Sequence, residues 1–135
     1  QMSILSEYAD TIFRDSKIIN EISSINLSDL DEINLKNFKL MKEIISRENA
    51  VDSSLKSKLI QQKLKCEHLW RKARQENNSL LIEKEFNYLL SLVKEEASQL
   101  SDATQLNLYD SLISKYDMDY NSSKIDKRIP FTKPR

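Results

Sequence analysis

The 135-residue chain has no glycine, two prolines, one cysteine and one histidine. Lacking glycine, it cannot form the glycine-rich loops that cradle phosphate, and tight turns with positive φ or glycine-terminated helices are hard to build. The lone Cys66 excludes an internal disulfide, and with the single His68 it cannot assemble a zinc site. A His-Glu-x-x-His helix, which needs two histidines one turn apart, is excluded for the same reason. No stretch approaches the roughly 20 apolar residues of a membrane span, and the N-terminus lacks a basic segment followed by an apolar signal core. A cytoplasmic, reducing compartment and no membrane partner are therefore expected. Neither sign of charge dominates, with 21 basic against 21 acidic residues, so no global field recruits nucleic acid. Gln1 is not an initiator methionine, so the chain is expected to be cut from something longer.

What remains is a helical vocabulary. Both prolines, Pro130 and Pro134, fall in the last six residues, and periods of three and four recur through most of the rest. Leu5, Tyr8, Ala9, Ile12, Ser16 and Ile19 share one face of a first helix that fades at Ser23-Ser24. A second begins after Ser28 or Asp29, with Asp31 and Glu32 in its first turn and Leu30, Ile33, Phe38, Met41, Ile44 and Ile45 on its apolar side. The segment from Asn49 to Ser54 reads as a loop that offers Asp52, Ser53 and Ser54 as caps. The third helix, Leu55 to Asn77, carries Leu55, Leu59, Cys66, Trp70 and Ala73 on one arc, with Ile60 and Leu64 opposite.

Leu80 to Leu100 continues the pattern through Ile82, Phe86, Leu89, Val93, Ala97 and Leu100, with Leu81, Tyr88 and Leu92 on a second stripe. Asp102 and Gln105 are spaced as a capping box for a fifth helix presenting Leu106, Tyr109, Ile113 and Tyr116. The expected fold is all-α, with long antiparallel helices forming a helical bundle or hairpin array. Residues 1–120 form its helical region, and 121–135 a polar, basic tail that begins as a short cap.

Candidate chemistry is sparse. His68 beside Glu67 is no acid-base pair, because adjacent helical positions point about 100° apart. Cys66 and Trp70 lie on the apolar arc, where packing explains both, and Trp70 is expected at a helix-helix contact. Arg71 can pair with Glu67 one turn earlier, and Arg74 has Asn77 and Asn78 in reach. Asp29, Asp31 and Glu32 read as a helix N-terminus, and Glu95 and Glu96 as a solvated face. Lys124, Lys127, Arg128, Lys133 and Arg135 have only Phe131 among them, too little for a nucleic-acid surface.

Three segments in order carry a family likeness: Leu69-Trp70-Arg71-Lys72-Ala73-Arg74-Gln75-Glu76-Asn77-Asn78, then Leu92-Val93-Lys94-Glu95-Glu96-Ala97, then Tyr109-Asp110-Ser111-Leu112-Ile113-Ser114-Lys115-Tyr116-Asp117. Together they resemble the N-terminal helical region of the carboxypeptidase Taq family of metallocarboxypeptidases, over most of Met2 to Asp119. The resemblance implies a parent enzyme that removes C-terminal residues from peptides with a metal-activated water. It also implies zinc or another divalent metal in that parent, which is expected to be a homodimer.

The family's zinc-binding His-Glu-x-x-His helix has no matching position here, so no catalytic, cofactor-binding or metal-binding residue is assigned. Family members commonly continue after the Tyr-Asp segment with a glycine-containing loop and another helix, where this chain has Asp119-Tyr120. The chain is expected to be an inactive fragment whose partner is the remainder of the enzyme or a second copy. The alternative expectation is a stand-alone helical interaction module.

Overall fold

A computed structural model describes residues 2–117 and 120–128, with the side chains of Met2, Ser3 and Ser6 excepted. Its helices are α1 (Met2–Phe13), α2 (Ser16–Ser24), α3 (Glu32–Ala50), α4 (Ser53–Gln75), α5 (Leu80–Thr104), α6 (Leu108–Ile113) and α7 (Ser122–Arg128). A 3₁₀ turn, Leu27–Asp29, separates α2 from α3, and the described residues contain no strand. The fold is all-α, as the periodicity implies.

The expected first helix is two helices. Asp15 breaks it, adopting an extended backbone and accepting a hydrogen bond from the Lys17 amide, so it caps α2. The second expected helix starts later than Ser28 or Asp29 indicate, because Asn26 caps the 3₁₀ turn and Asp31 takes the cap of α3 through the Asn34 amide. The expected loop from Asn49 to Ser54 shrinks to Val51 and Asp52, since α3 runs to Ala50 and α4 starts at Ser53. Val51 is buried in the resulting corner.

The frame is the antiparallel hairpin of α4 and α5. Asp52 contacts Gln99 at one end, and Gln62 and Lys65 contact Glu85 near the other. The hairpin turn manages without glycine. Asn77 takes φ 46° in the left-handed region, where its short amide is better tolerated than most side chains. The Asn78 amide donates to Ala73 at 2.9 Å and the Asn77 amide to Arg74 at 3.4 Å, the bond pair of a Schellman motif. Gln105 does the same work at the end of α5 with φ 58°, its amide donating to the Ser101 carbonyl at 2.8 Å. It terminates α5, which runs past Asp102, so the expected capping box is not formed; Asn107 caps α6 instead.

Val51, Leu55, Leu59, Leu92 and Leu100 form the buried core, with Ala50, Leu89, Val93 and Leu112 packed on it. Each fully buried leucine contributes roughly 1.5–3 kcal/mol of apolar transfer. Two polar residues occupy the same registers. Gln62 falls between Leu59 and Cys66 on α4, and Glu96 lies between Leu92 and Leu100 on α5. The expected solvated face at Glu96 is thus corrected: the residue is 8% exposed and pairs with Lys115 at 2.5 Å.

Expectations for α6 are corrected too. Tyr109 and Tyr116 are exposed, Tyr116 at 90%, whereas Asp110, Ser111 and Ser114 are buried. Ser111 and Ser114 return their hydroxyls to α6 carbonyls at 2.8 Å, which removes their need for water and lets α6 approach Ala97 closely. The region expected to open as a short cap and irregular tail forms α7, whose start is held by Asp110. The Ser122 amide donates to Asp110 Oδ1 at 2.7 Å. The remaining expected tail, from Ile129, lies outside the described residues.

Candidate functional site

Three helix stripes converge on one cleft of about 430 Å³. Ile44, Arg47, Glu48 and Val51 line it from α3 and the corner after it, at spacings of three and four. Lys56, Leu59, Ile60 and Lys63 line it from α4, Glu96 and Leu100 from α5, and Lys115 from the turn after α6. The lining therefore places an apolar floor beneath a polar rim.

The rim charges are partly satisfied within the fold. Lys56 reaches Asp10 at 2.7 Å, the Glu48 carboxylate at 2.8 Å and the Glu48 carbonyl at 2.6 Å. Lys115 holds Glu96, and Arg47 donates one N–H to the Ser114 carbonyl at 2.8 Å, which fastens the end of α6 to α3. Arg47 and Lys63 form no ion pair among the described residues.

Asp10 anchors α1 beside this cleft. Burial raises its carboxyl pKa, but hydrogen bonds from Lys56, Ser53 and Arg14 outweigh that and hold it at about 2. Arg14 also donates to the Val51 carbonyl at 2.6 Å, and Asn49 donates to the Phe13 carbonyl at 2.9 Å. Elsewhere, Gln62 donates to the carbonyl and the carboxylate of Glu85, and with Lys65 it lowers the Glu85 pKa. Asp110 is lowered by the Ser122 amide, which overcomes its burial, with help from the Ser122 hydroxyl and Asn107.

The residues singled out in the sequence do not assemble into one site: Trp70, Arg71 and Arg74 line a shallow surface depression with Gln75, and Cys66 and His68 are not part of it. His68 is exposed, and Cys66 is buried against Gln62, whose side-chain nitrogen lies 3.8 Å from the sulfur. Arg71 does pair with Glu67, at 2.6 Å. Trp70 corrects the expectation of a buried helix-helix contact: it is 47% exposed. At 100° per residue it lies about 60° round from Leu55, at the edge of the buried arc. Arg74 stacks over its ring at 4.9 Å to the centroid instead of reaching the hairpin turn with its guanidinium.

The cleft cations and the polar anchors Asp10, Gln62, Glu96 and Asp110 were missed as a set. For Gln62 and Glu96 the signal was register within an apolar stripe. Asp10 and Asp110 show locally only Arg14 and Asn107, one turn away, whereas Lys56 and Ser53 for Asp10 and Ser122 for Asp110 lie on other helices and leave no local trace.

No group of three or more His, Cys, Asp or Glu among the described residues could hold a metal ion. Cys66 and His68, two positions apart on one helix, point about 200° from each other. The donor set does not fit a catalytic zinc, and no chemical step is derived through one. No helix of the described residues is long and apolar enough to cross a membrane.

Fold and site thus define an all-α helical array with a mixed apolar and cationic cleft. The family model for the carboxypeptidase Taq (M32) metallopeptidases matches residues 1–132, and the chain belongs to that family. No curated protein and no solved structure matched.

Proposed function

We propose that this chain is the N-terminal helical part of a metal-dependent carboxypeptidase that removes C-terminal residues from peptides, and that it supplies scaffold instead of catalytic groups. The observation that carries the reading is the family match over residues 1–132 in a sequence with a single histidine. The catalytic metal, expected to be zinc, and its ligands then belong to another part of the enzyme. The apolar side chains left exposed here, such as Leu80 and Phe86 on α5, pack against that part or a second copy.

Metal analysis of the purified chain tests the assignment of roles. The expected result is no stoichiometric zinc and no release of C-terminal residues from N-blocked dipeptides. One tightly bound zinc per chain overturns it. The coding sequence offers an independent check: reading beyond the Arg135 codon is expected to reach a segment encoding His-Glu-x-x-His. A clean stop there would favour a stand-alone helical interaction module.

A further inference from the structure

We propose that the cleft between α3, α4 and α5 binds a small monocarboxylate carrying an apolar tail. Of its six charged lining residues, Lys56 is paired with Glu48 and Lys115 with Glu96. That leaves Arg47 and Lys63. Arg47 gives one N–H to a carbonyl and Lys63 forms no ion pair, so two positive charges at the rim meet no carboxylate among the described residues.

Beneath them lie Val51, Leu59 and Leu100, each 2–3% exposed. Uncompensated cations beside low-dielectric walls attract an anion, and a guanidinium fork matches the two oxygens of a carboxylate. The apolar floor favours a ligand with a hydrocarbon portion over a fully hydrated inorganic ion. At about 430 Å³ the cleft lies within the usual range for small-molecule sites.

The inference stands apart from the peptidase reading, since presence or absence of hydrolysis leaves it untouched. Octanoate titrated into the chain, followed by amide chemical shifts, tests it. Saturable shifts confined to the cleft are expected, with octan-1-ol, which lacks the charge, and acetate, which lacks the tail, each binding more weakly. Lys63→Met is expected to weaken octanoate about two- to fivefold, the scale of one exposed ion pair. This variant disturbs no hydrogen bond or ion pair described in the fold, and unchanged thermal unfolding checks that. Arg47→Lys keeps the charge but loses the fork, and is also expected to bind more weakly. Octanoate that fails to saturate, binds no better than octan-1-ol, or binds Lys63→Met as well as the parent chain overturns the proposal.

Discussion

Asp10 gathers donors from three side chains, and its pKa of about 2 carries a definite pH signature. The folded value lies below the unfolded one of about 3.9, so the ionised carboxylate favours folding above pH 4. That contribution is lost as pH falls from about 4 through 2. Asp10→Asn is expected to lower stability at neutral pH and flatten the acid limb between those limits, as read by urea unfolding across pH. Trp70 and Leu55 make a second contrast, since one is half-exposed and the other almost wholly buried. Leu55→Ala is expected to cost about 2–5 kcal/mol, whereas Trp70→Phe should cost less than about 1 kcal/mol. Denaturant midpoints of the two variants check the ranking, and ready acrylamide quenching of Trp70 fluorescence checks its exposure.

Several helix ends are closed by a capping side chain or by a left-handed residue, and none by glycine, which the sequence lacks. Asp15, Asn26, Asp31 and Asn107 accept backbone amides at helix starts. Gln105 holds φ 58° with a bulky side chain, a conformation that costs a non-glycine residue roughly 1–2 kcal/mol. Gln105→Gly relieves it, at the expense of the Gln105 side-chain bond to the Asp102 carbonyl and some unfolded-state entropy. A net gain of about 0.5 kcal/mol is expected in urea unfolding. Helix α7 hangs on Asp110, which accepts both the amide and the hydroxyl of Ser122. Asp110→Asn removes an acceptor oxygen. It is expected to accelerate hydrogen exchange through 122–128 while the α4–α5 hairpin stays protected.

Across the molecule, the core occupies the α3–α4 corner and the half of the hairpin nearest it, where Val51, Leu55, Leu59, Leu92 and Leu100 meet. Away from it, α1 exposes Ile4, Leu5 and Tyr8, and α5 exposes Leu80, Phe86, Tyr88 and Leu90. Under the proposed function these exposed apolar side chains meet a partner, so concentration-dependent self-association or capture by the remainder of the enzyme is expected. Sedimentation velocity across a concentration series checks the first outcome, and a stable monomer throughout would count against it. The helix content and, apart from Trp70 and Gln62, the α4 core face were legible because they rest on local period and on residues that are apolar whichever neighbour arrives. The caps at Asp31 and Asn107 lie a few residues beyond the expected Ser28 or Asp29 and Asp102, since several capping side chains compete within each connection. The cleft stayed hidden because its lining comes from three separate stripes and a turn.

The order of residues was enough to establish an all-α chain, its long hairpin, and a family likeness whose catalytic histidine pair is missing from it. These follow from backbone propensity, short-range periodicity and simple count. Tertiary structure decided that Trp70 turns partly to solvent, that Glu96 and Gln62 turn inward, and that Arg47 and Lys63 share a cleft without a carboxylate partner among the described residues. Burial and ion pairing depend on which helices meet and at what rotation, and those distances are set between segments far apart in the chain.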